Sequence, residues 1–111
     1  MMLYILNTAI IPINWEQYNI VTVHLRRITP EEAREMLQTK QFVSAVGHEG
    51  TALILSQLLG VNIPFNRAAV YMQPGDEGLH FVLRVRLPEG KVLSAEELAA
   101  LDYWLVYSKI I

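Results

Sequence analysis

The chain has 111 residues, no cysteine, 52% hydrophobic and 18% charged side chains, and a formal net charge of −2. That length fits one domain able to bury roughly two thirds of its unfolded surface without staples. The missing cysteine excludes disulfides, iron–sulfur clusters and thiolate zinc sites, and fits a reducing, cytoplasmic location (the host cytoplasm for a virus-encoded chain). Lys and Arg total 9 against 11 Asp and Glu, which argues against long nucleic acid as a partner. A short nucleotide held by a few local arginines stays open.

Met2 to Leu6 is an apolar run ending at Asn7 and predicts a first strand. Ile10 to Trp15, with Pro12, predicts a loop. Tyr18 to Leu25 alternates β-branched and aromatic with polar residues and predicts a second strand. Thr29-Pro30-Glu31-Glu32 is a helix start: Thr29 caps, Pro30 takes the first position, Glu32 closes a capping box, and the helix runs to about Gln38. Phe42 to Val46 reads as extended. Thr51 to Leu59 reads as a helix stopped by Gly60, apolar nearly all round and so buried on more than one side.

Arg67 to Met72 and Leu79 to Leu87 predict two strands joined by the turn 73–78 as a hairpin. Pro88-Glu89-Gly90 predicts a further turn. Ser94-Ala95-Glu96-Glu97 is a second capping box, opening a helix to about Leu101. Tyr103 to Ile111, aromatic and β-branched, predicts the last strand. The sum is an α/β fold: one compact domain over residues 1–111, with a mixed central β-sheet flanked by helices. No apolar run reaches the roughly 18 residues of a membrane span, so no membrane partner is expected. The opening MMLYILN lacks the basic region and long apolar core of a signal peptide.

The segment richest in chemistry is Ser44-Ala45-Val46-Gly47-His48-Glu49-Gly50-Thr51-Ala52. It passes from an extended run into a buried helix through two glycines, which permit close backbone approach and positive φ. The first helical turn offers free N–H groups and the positive end of the helix dipole, a setting suited to phosphate. His48 sits within it, and a histidine there passes protons near neutral pH. The residues alone leave two readings: a phosphate site with a proton donor, or a turn that only connects. His24 and His80 read as surface or satisfied core residues. No histidine pair has zinc-motif spacing, and no serine elbow or phosphate-binding Walker loop is present, so no metal or cofactor is expected. Asn66-Arg67, and the alternating pair Arg84 and Arg86 ahead of Glu89, are further candidates for holding phosphate. Arg84 reads equally as a solvated strand-edge charge. Lys91, Glu96 and Glu97 read as surface and capping residues.

Taken together, the 44–52 block, Leu-Leu-Gly-Val at 58–61, Asn66-Arg67, Arg86-Leu87-Pro88-Glu89-Gly90-Lys91-Val92-Leu93-Ser94 and the start Leu6-Asn7-Thr8 resemble the type III anti-CRISPR ring nucleases. The resemblance runs in order over nearly the whole chain. It implies a homodimer that encloses cyclic tetra-adenylate on its two-fold axis and cuts two phosphodiesters without metal. Each cut is an attack by a ribose 2′-hydroxyl on its own adjacent phosphate, giving short adenylates with 2′,3′-cyclic phosphates. It implies His48 as general acid, Glu89 assisting, Arg67 and Arg86 holding the ligand, and Asn7 with the backbone of Gly47, Gly50 and Thr51 contacting ribose and phosphate. The alternative is a binding protein, a sponge or sensor for the same cyclic nucleotide without useful turnover.

Overall fold

The structure, a computed structural model, describes residues 1–85 and 92–111. Five strands form one mixed sheet, with helices packed on it. The elements are β1 (Leu3–Leu6), β2 (Val23–Ile28), α1 (Pro30–Thr39), β3 (Phe42–Ser44), α2 (Glu49–Leu59), β4 (Glu77–Leu83), α3 (Ala95–Ala99) and β5 (Tyr103–Ile110). The strand order is β2-β5-β4-β1-β3. β1 lies between two parallel neighbours, pairing Ile5 with Ser44 of β3 and Leu6 with His80 of β4. β5 runs antiparallel to both β4 and β2.

Both faces of the inner strands are covered, which is why β1 is apolar at every position. Leu3 and Ile5 join Leu79, Phe81 and Leu105 in a core closed by Ala33 and Leu37 of α1 and by Ala52, Ile54, Leu55 and Leu59 of α2. On the opposite face Leu6, Ile13, Met72 and Ile110 form a smaller cluster, packed by Tyr18, Val21 and Val70 from irregular segments instead of a helix. The α2 helix is less enclosed than its composition predicts, since Leu53 keeps 39% of its surface exposed.

Local signals act where they were read. Both capping boxes form, with the Thr29 and Ser94 hydroxyls accepting from the N–H of Glu32 and Glu97. Gly60 ends α2 in the left-handed region at φ 66°, a conformation glycine adopts without a Cβ clash. The Leu59 carbonyl at that end accepts from Arg34 Nε at 2.9 Å.

Pairing over distance differs from expectation in two places. The second strand starts at Val23 instead of Tyr18 and continues through Arg26 and Arg27 to Ile28. β2 is an edge strand whose outer residues face water, so arginines fit there, while Tyr18 and Val21 pack into the smaller cluster. The expected hairpin does not form. Residues 67–71 are irregular, and Met72 makes a single bridge to Ile13. The turn before β4 exists, with Gly75 at φ 98° and the buried Asp76 carboxylate accepting from Met2 and Gln73 N–H. It leads into a strand whose two edges are already taken by β1 and β5. The predicted end of that strand at Leu87 and the turn 88–90 lie outside the described residues.

Candidate functional site

The sheet has two unlike ends. At the amino ends of β1, β3 and β4, Lys40 Nζ bridges both Glu77 carboxylate oxygens at 2.9 and 2.8 Å, and the Tyr107 hydroxyl donates to Glu77. Burial pushes the Glu77 carboxyl up, but the bonds from Lys40 and Tyr107 outweigh it and hold it below the usual carboxylate range. Burial and the bond to Glu77 push the Tyr107 phenol up to about 12. The shifts on the two partners agree, both favouring a phenol donating to a carboxylate. Each member is bonded to another, so this cluster joins the end of α1 to β4 and β5.

The sequence candidates gather at the other end, where the parallel strands finish. The chain leaves β3 with the Ala45 N–H bonded to the Ile5 carbonyl at 2.8 Å. Two residues beyond the Ile5–Ser44 pair, Asn7 and Val46 leave the sheet at this same carboxyl end. The turn that follows is clamped from outside by residues 64–67. Ser44 Oγ donates to the Pro64 carbonyl at 2.6 Å, and Asn66 reaches Ser44 and Val46 with its side chain and backbone N–H. Arg67 Nε donates to the Gly47 carbonyl at 3.3 Å. Thus Asn66-Arg67, expected at the start of a strand over Arg67 to Met72, is instead a brace packed on the Gly47-His48 turn. A Cβ on Gly47 would stand 3.6 Å from Arg67 Cγ.

His48 is the N-cap of α2, so the helix starts two residues earlier than its apolar pattern predicts. Its backbone is extended, its carbonyl takes the first helical bond from Ala52 N–H, and its side chain caps nothing. The first-turn N–H groups therefore have no acceptor from the N-cap side chain, unlike those of α1 and α3. Glu49 adds an exposed carboxylate in the same turn, which competes with an incoming anion. The His48 imidazole is exposed and folds back over Gly50. A Cβ there would sit at ordinary contact, 3.5 Å from Cε1. His48 Nδ1 meets the Thr51 hydroxyl at 3.3 Å. Thr51 is buried, so its side chain holds the ring instead of offering itself to a ligand. Nε2 has no hydrogen-bond partner among the described residues. The glycines do not act by positive φ: Gly47 and Gly50 both have ordinary backbones.

The structure thus brings the sequence candidates Asn7, Gly47, His48, Gly50, Thr51 and Arg67 to one end of the fold. Arg86 and Glu89 lie outside the described residues. Arg84 is occupied, paired with Asp102 at 3.3 Å and stacked 4.6 Å over the Trp104 ring. His24 is exposed on β2. The His48–Thr51 pair was not read from the sequence, although a His-X-X-Thr spacing at a helix start puts both side chains on one face. His80, expected on the surface or satisfied in the core, is fully buried and bonded through both nitrogens. No group of metal-ligating side chains occurs among the described residues, and no helix among them is long and apolar enough to cross a membrane.

A family model described as STIV B116-like matches residues 3–105. Uncharacterized protein 26 of Sulfolobus islandicus filamentous virus is 44% identical over 108 residues, covering 94% of this chain and 89% of that protein. Uncharacterized protein ORF117 of Acidianus two-tailed virus is 43% identical over 110 residues, covering 96% and 92%. Among solved structures, B116 of Sulfolobus turreted icosahedral virus superposes with a TM-score of 0.82 over 98% of this chain and 99% of that one, at 22% identity. At that identity the likeness speaks for the fold.

Proposed function

The chain belongs to the STIV B116-like family, shared with proteins of archaeal viruses, and from that premise we propose that it is a metal-independent ring nuclease acting on cyclic tetra-adenylate, the second messenger of type III CRISPR immunity. Its effect is to remove the messenger and so inhibit that immunity. The observation that carries the reading is His48 itself: an exposed imidazole at a helix start its own side chain does not cap, held through Nδ1 by Thr51, with Nε2 free of hydrogen bonds among the described residues.

The reaction needs little from the protein. The ribose 2′-oxygen bonds to the adjacent phosphorus, the bond from phosphorus to the 5′-oxygen breaks, the 2′-hydroxyl loses its proton, and the 5′-oxygen gains one. No water, oxidant or metal is consumed. The protein supplies in-line positioning, a proton for the leaving oxygen and charge stabilisation. His48 Nε2 is the donor. The Thr51 hydroxyl accepts from Nδ1–H both in the imidazolium and in the neutral ring left once Nε2 has given its proton to the 5′-oxygen. The first-turn N–H groups and Arg67 face the phosphate, joined by Arg86 and Glu89 as the motif resemblance implies. Because His48 lies on an open surface, a second wall is required to exclude water, and a homodimer supplies two equivalent half-sites for a two-fold ring.

Incubating pure protein with cyclic tetra-adenylate and excess chelator tests the reading. The expected products are linear adenylates ending in 2′,3′-cyclic phosphate, formed by a dimer in light scattering. Tight binding without turnover makes the chain a sponge or sensor. Activity that returns only with a divalent ion means the mechanism is wrong, and no binding at all removes the reading.

A further inference from the structure

A fully buried imidazole in the middle of a sheet is an expensive way to fill space, and His80 is one. It sits on β4, opposite Leu6 of β1 and Val106 of β5. Its Nδ1 lies 2.8 Å from the Thr8 carbonyl oxygen and its Nε2 lies 2.8 Å from Ser108 Oγ. A carbonyl only accepts, so Nδ1 carries the hydrogen, and in the neutral ring Nε2 accepts from the serine hydroxyl. The surroundings are matched to this arrangement. Gly78, two residues earlier on the same face and opposite Ser108, leaves the room it needs. A Cβ on Gly78 would stand 2.6 Å from Nε2 and closer still to Ser108 Oγ. Burial pushes the imidazole below its ordinary value of 6.5 against the raising effect of the Thr8 carbonyl, which keeps the neutral tautomer.

What the ring holds is the stretch just after Asn7. Thr8, Ala9 and Ile10 are exposed, and the other hydrogen bond of residues 8–10 among the described residues is local, from Ile10 N–H to Thr8 Oγ1 at 3.3 Å. The bond from His80 spans 72 residues in sequence and ties this loop to the centre of the sheet, at the end where the His48 turn also emerges.

We propose that His80 is a positioning residue: its Nδ1–H, directed by Ser108, fixes the Thr8 carbonyl and so sets the Asn7–Ile10 loop as a substrate-facing wall of the His48 site. The inference rests on the ring-nuclease reading for its substrate, but the loop's dependence on His80 can be read without it.

Three measurements decide it. Long-range proton–nitrogen correlation spectra of the wild-type protein read the ring directly; the Nδ1–H tautomer is expected, and an Nε2–H tautomer overturns the proposal. Next come two substitutions that separate the arms of the ring. His80→Asn puts an amide nitrogen near Nδ1 and keeps a donor for Thr8, whereas His80→Gln reaches toward Ser108 and abandons Thr8. Amide exchange of residues 8–10 should quicken in the Gln variant and stay near wild type in the Asn variant. On cyclic tetra-adenylate the Gln variant should raise KM on the order of tenfold with kcat nearly unchanged, the signature of a lost binding wall, while the Asn variant stays close to wild type. A purely structural histidine gives a different result: both variants change together, in step with their stability, and that outcome overturns the proposal. If wild type neither binds nor cleaves the ring, the functional reading fails alone, and the tautomer and exchange measurements still decide whether His80 sets the loop.

Discussion

The His48 imidazole and the Thr51 hydroxyl meet at 3.3 Å across the first turn of α2, one side chain exposed and the other buried. The buried partner therefore orients the exposed one. Replacing Thr51 by Val keeps the shape and removes the hydroxyl, freeing the ring to rotate. The expected loss is about tenfold in single-turnover rate, near the worth of one hydrogen bond in positioning. Thr51→Ser should restore most of it. Equal rates in the Val and wild-type proteins would show that the contact does not orient the ring.

A second expectation separates chemistry from packing at His48. The side chain is exposed, so its removal should leave folding almost untouched. As general acid it should carry on the order of 10²–10⁴-fold in rate, roughly 3–5 kcal/mol of barrier. Binding should suffer much less, because the helix-start N–H groups and Arg67 remain. The measurement is paired: single-turnover rate and dissociation constant on one folded His48→Ala protein. Cleavage near the wild-type rate would end the assignment.

How far these residues could be read beforehand follows from the distances over which they act. The capping boxes at Thr29 and Ser94 and the stop at Gly60 are decided within four residues, and each forms as read. The Arg67–Gly47 brace spans 20 residues and the His80–Thr8 bond 72, and neither has a local signature. The missing hairpin has the same cause. The turn 73–78 was legible, but the partners of β4 were not, because β1 and β5 approach from the two ends of the chain. Even at His48 only part was legible. Glycines and an apolar run mark a helix start, but they do not reveal that the histidine is the cap residue or that a threonine one turn on secures its ring.

A third expectation concerns pH. Burial holds the folded His80 below 6.5, outweighing the Thr8 carbonyl. As pH falls through 6.5 the unfolded chain takes up a proton that the folded chain refuses, so stability present above that value is lost on acidification. The loss per unit of pH is at most about 1.4 kcal/mol for one group, and it ends once pH passes below the folded value. Urea unfolding at pH 7 and 5.5 on wild type and His80→Asn checks it. The slope should be shallower in the variant, since His24 and His48 are common to both. Identical slopes would mean that the folded ring takes up its proton at the same pH as the unfolded one, so that burial does not hold it down.

The last expectation turns on Gly50, where stability and function should move in opposite directions. Its backbone is ordinary helix, with no positive φ. Among the described residues an alanine Cβ there would meet the His48 ring, at 3.5 Å from Cε1 and 3.6 Å from Nδ1, which is ordinary contact. Nothing among the described residues therefore requires glycine. Alanine should stabilise the helix start by roughly 0.5 kcal/mol, since glycine gives up more freedom on folding. The added methyl stands on the first turn beside the imidazole, where the N–H groups are proposed to face a phosphate. Ligand oxygens at hydrogen-bond distance from those N–H groups would collide with it. Gly50→Ala should thus unfold at a slightly higher denaturant midpoint while binding cyclic tetra-adenylate at least tenfold more weakly. A variant that is more stable and binds as tightly as wild type would mean that the ligand does not approach this turn. A variant that is markedly less stable would mean that the ring over Gly50 cannot give way, and that the glycine is there for His48 alone.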